Sequence, residues 1–264
     1  MSSVVFIHGL WLAKESWESW RGLFEEQGYE TSAPGWPGEG DSIEVTRDDP
    51  AAQAGIGIAD IVDHYAKLLP SAEQRPVVVA HSFGGLIAQI LLDRGLIAGA
   101  VAVSPAPIQG VHKLPVAQLR SALPVLKSRK NRDRAKALTR RQFRYGFGNA
   151  VSASVSDSLW RRWSIPSPGR PLFEVASANR QAASPAKVNT QNSARGPLLF
   201  IAAGRDHTVP EVTTRAAYEL HSSSRAVTEL RVFPDRGHSL AIDPEWRAVA
   251  DSVLQWLGAQ DLDE

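Results

Sequence analysis

Five residues, Ala80-His81-Ser82-Phe83-Gly84, join the apolar run Pro76-Val77-Val78-Val79 to the helix-like stretch Gly85-Leu86-Ile87-Ala88-Gln89-Ile90-Leu91-Leu92. A chain that passes from strand to helix in so few residues forces the central one, Ser82, into a strained conformation and presents its hydroxyl at the top of a sheet. Such a turn tolerates only small neighbours. Gly84 meets that need two residues after the serine, and Ala80 carries a single methyl two residues before it. Taken alone, the string is also what an ordinary helix N-cap serine looks like. The strand before it and the helix after it point instead to a nucleophile.

Short β-branched runs recur at Val4-Ile7, Tyr29-Ala33, Val77-Ala80, Ala100-Val103, Leu198-Ala202 and Val227-Phe233. Amphipathic stretches lie between them at Glu15-Gln27, Gly57-Leu69, Gly85-Arg94, Glu211-Leu220 and Pro244-Leu257. This alternation predicts an α/β fold, a mostly parallel sheet of about six strands with helices on both faces. The order fails only between about Pro105 and Arg195. There the strand signal vanishes and helical pieces broken by Pro and Gly follow one another, at Lys113-Leu126, Arg132-Phe143, Ser154-Trp163 and Arg170-Asn179. Residues 105–195 therefore read as a helical cap inserted, after the fourth strand, in a core made of residues 1–104 and 196–264. A chain of 264 residues suffices for one such domain.

Composition narrows the function classes. With 29 Lys and Arg against 28 Asp and Glu, no global charge pulls the chain toward nucleic acid or an anionic membrane, so neither is expected as a partner and any charge effect is local. The absence of cysteine excludes disulfides, thiol catalysis and zinc-thiolate sites. No signal-like segment or bilayer-length apolar run is present, which fits a soluble cytoplasmic protein, monomeric or homodimeric, acting on a small molecule.

A serine hydroxyl needs a histidine to take its proton and a buried carboxylate to orient that histidine. Of the seven histidines, His238 stands in Asp235-Arg236-Gly237-His238-Ser239, just after the last predicted strand, and active groups of open α/β sheets gather at such strand ends. His8 ends the first strand and His81 is locked inside the turn. Asp206 follows the run Leu198-Ala202 and precedes Val209-Pro210, where a helix begins. It is the leading candidate for the acid, although an N-cap role also suits it. Asp235 is the rival, more readily explained as a turn former.

The order Ser82, Asp206, His238 differs from that of trypsin-like and subtilisin-like proteases. Through Ala80-His81-Ser82-Phe83-Gly84-Gly85, Asp206-His207-Thr208-Val209-Pro210, Gly237-His238 and His8-Gly9-Leu10-Trp11, the chain resembles the α/β-hydrolase fold superfamily. The resemblance covers nearly everything outside the cap. It implies an oxyanion hole formed by the backbone N–H groups of Leu10 and Phe83, and no metal or organic cofactor. Two departures stand out: the family's N-terminal hairpin is missing, and Ala80 replaces the first glycine of the turn. A serine rather than a carboxylate at position 82 argues against dehalogenation.

Trp11 and Trp36 are the aromatic residues expected nearest the substrate, whereas Phe143, Tyr145, Phe147, Trp160 and Trp163 read chiefly as packing residues of the cap. The segment from Lys113 to Arg144 holds eleven Lys or Arg and one acid, Asp133. Such a run ordinarily makes a solvated basic face; its sharper reading is steering of an anionic substrate. The expected activity is hydrolysis of small carboxylic esters, lactones or thioesters through an acyl-enzyme. Carbon–carbon bond hydrolysis or lyase chemistry on the same residues, and non-catalytic binding on a hydrolase scaffold, are the alternatives.

Overall fold

The structure is a computed structural model that describes residues 3–70 and 74–260. Its strands are β1 (Ser3–Ile7), β2 (Glu30–Ser32), β3 (Val77–His81), β4 (Gly99–Val103), β5 (Ala135–Lys136), β6 (Ser167–Pro168), β7 (Leu198–Ala203) and β8 (Thr228–Phe233). Side chains alternate across a strand, so a run that is apolar throughout buries both faces. Val4 and Phe6 of β1 pack into one layer while Val5 and Ile7 pack into the other, and Val77/Val79 against Val78/Ala80 repeat the pattern in β3. Six strands form one parallel sheet in the order β2-β1-β3-β4-β7-β8. The short strand β2 and the half-exposed β8 are its edges.

The helices are α1 (Glu18–Glu26), α2 (Ile43–Asp48), α3 (Ile58–Leu68), α4 (Phe83–Asp93), α5 (Val116–Leu126), α6 (Arg140–Gly146), α7 (Ala153–Trp163), α8 (Arg170–Ser177), α9 (Glu211–Leu220) and α10 (Trp246–Leu257). One layer of the core holds α3, α4 and α9; the other holds α1 and α10, packed around Trp17, Trp20, Phe24 and Trp256. Helix α4 is apolar all round because it is sandwiched: ten of its eleven residues are buried.

Between β4 and β7 the chain departs from the sheet, as its sequence pattern indicated, but the expected helix over Arg132-Phe143 does not form as one piece. Arg129–Asp133 is a 3-10 turn, and Ala135–Lys136 then pairs antiparallel with Ser167–Pro168. Helix α6 starts afresh at Arg140. The reason is the capping box at Thr139: its hydroxyl accepts from the Gln142 amide, and the Gln142 side chain accepts from the Thr139 amide. Helix α2, over Ile43–Asp48, had no expected counterpart. Ser42 caps it by accepting from the Val45 amide.

His221, at the end of α9, is buried beside Phe200 with ring centroids 5.6 Å apart, and among the described residues neither ring nitrogen has a hydrogen-bond partner. Burial, and then the charge of Arg195, lower its pKa from 6.5 to about 4, with Asp93 partly opposing them. The unfolded chain therefore binds this proton near pH 6.5 and the folded chain only near pH 4. In that window the unfolded state holds more protons, so stability falls as pH drops. We expect His221 to account for about 3 kcal/mol or less of that loss between pH 6.5 and pH 4. Melting temperatures of wild type and His221→Leu across the window check this; an unchanged pH slope in the variant refutes it.

Candidate active site

The turn between β3 and α4 is strained. Ser82 adopts φ 57°, in the left-handed region that a serine rarely occupies. Four backbone hydrogen bonds hold that conformation: the Ser82 amide donates to the Val103 carbonyl at 2.9 Å, and the Ser82 carbonyl accepts from Gly85 and Ala106, both at 2.9 Å, and from Leu86 at 3.3 Å. Two glycines let the backbone approach this closely. A Cβ on Gly84 would run into the Ile7 carbonyl oxygen and lie 2.7 Å from that of His8, and a Cβ on Gly9 would lie 2.5 Å from Ser82 Cβ. The loop after β1 is thus pressed against Ser82.

Asp206 leaves β7 in the loop before α9, and His238 stands in the loop between β8 and α10. Both are buried. His238 Nδ1 lies 2.7 Å from Asp206 Oδ2, and His238 Nε2 lies 3.0 Å from Ser82 Oγ. The other carboxylate oxygen of Asp206 accepts from the Thr208 amide at 2.7 Å and the Val209 amide at 2.8 Å. With both its oxygens engaged, the carboxylate cannot rotate away, and the Nδ1–H of His238 points to it. That leaves Nε2 to accept from the serine hydroxyl. The rival Asp235 makes no such contact with His238 among the described residues.

The His238 carbonyl is held from behind. His81 Nε2 lies 2.9 Å from it, and because a carbonyl only accepts, His81 must donate through that nitrogen. Burial, reinforced by His238, holds the His81 pKa well below the ordinary histidine value and keeps the ring neutral. Phe147 and His238 pack edge to face with ring centroids 4.7 Å apart, and the Phe147 carbonyl accepts from the Ser239 amide at 3.1 Å.

The loop Gly9–Ala13 is pinned on both sides. Trp11 has φ 67°; its amide donates to Ser167 Oγ at 2.7 Å and its indole N–H to the Lys136 carbonyl at 3.0 Å. On the other side sits Glu39, which the sequence did not single out. One carboxylate oxygen accepts from the Lys14 amide at 2.9 Å; the other accepts from the Trp36 amide at 3.1 Å and lies 2.8 Å from His8 Nε2. Burial pushes the Glu39 pKa up, but His8 and the two amides outweigh it and hold the group below the ordinary carboxylate value. An acid spaced three residues after Trp36 in a Pro- and Gly-rich loop carries no signal of this role until the fold brings His8 to it.

Leu10 and Phe83 are both buried, and among the described residues neither backbone N–H has an intramolecular acceptor. For Phe83 this follows from its place in the first turn of α4. A cavity of about 190 Å³ opens over Ser82, lined by Trp11, Phe83, Ile108, Leu119, Leu172 and Val209 among others. Trp36 does not line it. Its indole N–H donates to the His8 carbonyl at 3.1 Å and its ring stacks on His8, so its buried polar tip is used in supporting the loop. Phe143 and Phe147 stack on each other at 4.8 Å, and Trp160 donates to the Leu138 carbonyl. No group of three or more His, Asp or Glu side chains arranged to hold a metal occurs among the described residues.

Replacing Gly84 by Ala pushes a methyl into two backbone carbonyls that have no freedom to retreat. We expect a loss of about 3 kcal/mol or more, with inactivation. Gly22→Ala in α1 meets open space and should instead stabilise by about 0.5–1 kcal/mol. Chemical denaturation of the two variants measures the contrast, and equal stabilities refute it.

A family model described as "Alpha/beta hydrolase family" matches residues 4–251. No curated protein matches the sequence. Among solved structures, the methylesterase MES16 from Arabidopsis is 15% identical, with 98% of this chain and 100% of that chain covered and a TM-score of 0.70. An extracellular alpha/beta-hydrolase from a Paenibacillus species, described as sharing structural and functional homology with tobacco Salicylic Acid Binding Protein 2, is 17% identical over 97% and 98% of the chains, at a TM-score of 0.69. A monoacylglycerol lipase from Paleococcus ferrophilus is 19% identical over 97% and 93%, at 0.64.

Proposed function

The chain belongs to the alpha/beta hydrolase family, and from that premise we propose that it is a serine hydrolase that cleaves carboxylic esters, lactones or thioesters through an acyl-enzyme. One observation carries this reading: the hydrogen-bonded chain from Ser82 through His238 to Asp206, buried beneath an apolar cavity. Ser82 Oγ attacks the carbonyl carbon as its proton passes to His238 Nε2. Asp206 stabilises the imidazolium and fixes its orientation. The developing oxyanion is held by the Leu10 and Phe83 amides, two donors that have no other acceptor among the described residues. His238 then returns the proton to the leaving oxygen or sulfur, and a water activated by the same imidazole releases the acid. Each oxyanion donor is worth roughly a hundred- to a thousand-fold in rate. No metal or organic cofactor enters the scheme.

The helical segment 105–195 serves as a cap in this reading. Ile108, Val111, Leu119, Leu172 and Val175, all from that segment, wall the cavity above Ser82. The wall is largely apolar, which suits a hydrocarbon acyl or alcohol group, and besides Ser82 its polar points are Gln118, Ser121, Asn179 and Thr208. The names of the fold relatives, a methylesterase and a monoacylglycerol lipase, point toward ester substrates as well.

Wild type should be labelled stoichiometrically by a fluorophosphonate and should turn over p-nitrophenyl esters. Ser82→Ala should lose labelling and at least about a thousand-fold in kcat/KM. An unlabelled but folded wild type refutes the acyl-enzyme and favours a binding protein on the same scaffold. Glu39→Gln removes one of the acceptors that pin the loop carrying Leu10. It should lower kcat about tenfold with little change in KM, while labelling still goes to completion, more slowly. A KM effect alone would place Glu39 in substrate binding instead.

A further inference from the structure

Helix α5 is amphipathic the wrong way round for a helix that merely packs on its neighbours. Its inward side makes specific contacts: Val125 is buried, Ser121 hydrogen-bonds Thr208 at 2.8 Å, and Gln118 hydrogen-bonds Thr213 at 3.1 Å. Those contacts fix its rotation. Its outward side shows Val116, Leu119 and Leu123, spaced three and four residues apart, with Leu114 just before the helix. These four are 49–80% exposed. The other large hydrophobics exposed to a similar degree among the described residues, Val45, Leu68, Val212 and Val227, stand singly in four different parts of the chain. A stripe of this kind marks a docking surface.

Cations frame the stripe. Lys113, Arg120, Lys127, Arg129 and Lys130 are exposed, and none of them has an ion pair among the described residues; Arg120 lies over the Tyr145 ring at 4.2 Å. The paired cations of the basic run are Arg140 and Arg144, both on Asp157. The stripe also belongs to the active site's entrance, because Leu114 and Leu119 line the cavity over Ser82 and are half exposed. A partner that covers α5 therefore meets the cavity mouth.

We propose that α5 and its flanking cations dock the enzyme on an anionic lipid surface, where the apolar stripe enters the headgroup boundary and amphiphilic esters pass into the cavity. The apolar face explains the insertion, and the unpaired cations explain the preference for anionic headgroups. A second copy of the chain is a poorer occupant: a two-fold contact across α5 would oppose the same five cations to themselves. The delivery of esters rests on the serine hydrolase reading; the docking itself does not. The even overall charge led to the expectation of no membrane partner, whereas the charge that matters here is confined to one face.

Co-sedimentation with phosphatidylcholine vesicles, with and without phosphatidylglycerol, tests the docking. Wild type should bind the mixed vesicles at least about tenfold more tightly than the neutral ones, and salt should release it. Val116→Gln/Leu123→Gln, at positions outside the cavity wall, should weaken vesicle binding roughly tenfold or more while leaving kcat/KM for a dissolved short-chain ester unchanged. Arg129→Glu/Lys130→Glu should weaken binding to the anionic vesicles alone. Ser82→Ala should bind as wild type does, which separates docking from catalysis. Failure of wild type to bind anionic vesicles, or equal binding by the Val116/Leu123 variant with a wild-type melting temperature, overturns the proposal. So does a wild-type dimer that the same variant dissociates, if vesicle binding is absent.

Discussion

The positive φ at Ser82 is the constraint around which the rest of the molecule is arranged. A non-glycine residue in that region costs about 1–3 kcal/mol and persists only where its surroundings over-determine it. Here they do so through β4, whose Val103 carbonyl takes the Ser82 amide, and through the chain just beyond β4, where Ala106 donates back to the Ser82 carbonyl. The glycines at 9 and 84 admit the loop after β1 from the other side. Trp11 and Ser104 share the strained region of backbone space, so all three non-glycine residues with positive φ among those described lie in the segments that follow β1, β3 and β4. Strain is concentrated where a parallel sheet gathers its reactive strand ends.

What holds Ser82, His238 and Asp206 in place is a set of buried polar contacts, each of which uses up a donor or acceptor that would otherwise be costly to bury. Asp206 is saturated by two amides and His238. His81, neutral because it is buried, braces the His238 backbone. Glu39 does for the loop after β1 what Asp206 does for the histidine: a buried carboxylate accepts from two amides and faces a histidine. The two carboxylates thus organise opposite sides of the serine.

The helical segment between β4 and β7 is tied to this centre at several points. Ser167 accepts from the Trp11 amide, the Trp163 carbonyl accepts from Ala13, and Ser121 of α5 meets Thr208, whose amide holds Asp206. Any movement of α5 is therefore felt two residues from the proposed catalytic acid. On the proposed reading, the surface that meets lipid and the carboxylate that orients the base are joined by a single hydroxyl pair.

The sequence by itself determined the sheet, the helices of the core and the three side chains that meet as Ser82, His238 and Asp206. Those features rest on short-range physics: unbroken apolar runs make buried parallel strands, and a small-residue turn between strand and helix exposes its centre. Sequence spacing also placed Asp206 and His238 at strand ends. Tertiary structure decided what no local pattern encodes. Glu39 became a clamp because β1 and the loop of Trp36 come together, and Trp36 turned to support His8 because its buried indole needed an acceptor. The helical segment was legible only as helical; Thr139 broke one expected helix through its capping box, and a two-residue strand pair formed across 31 residues of chain. Which face of α5 looks outward was beyond its periodicity, since a helix shows an apolar stripe equally well to a core or to solvent, and only the partners on its other side choose.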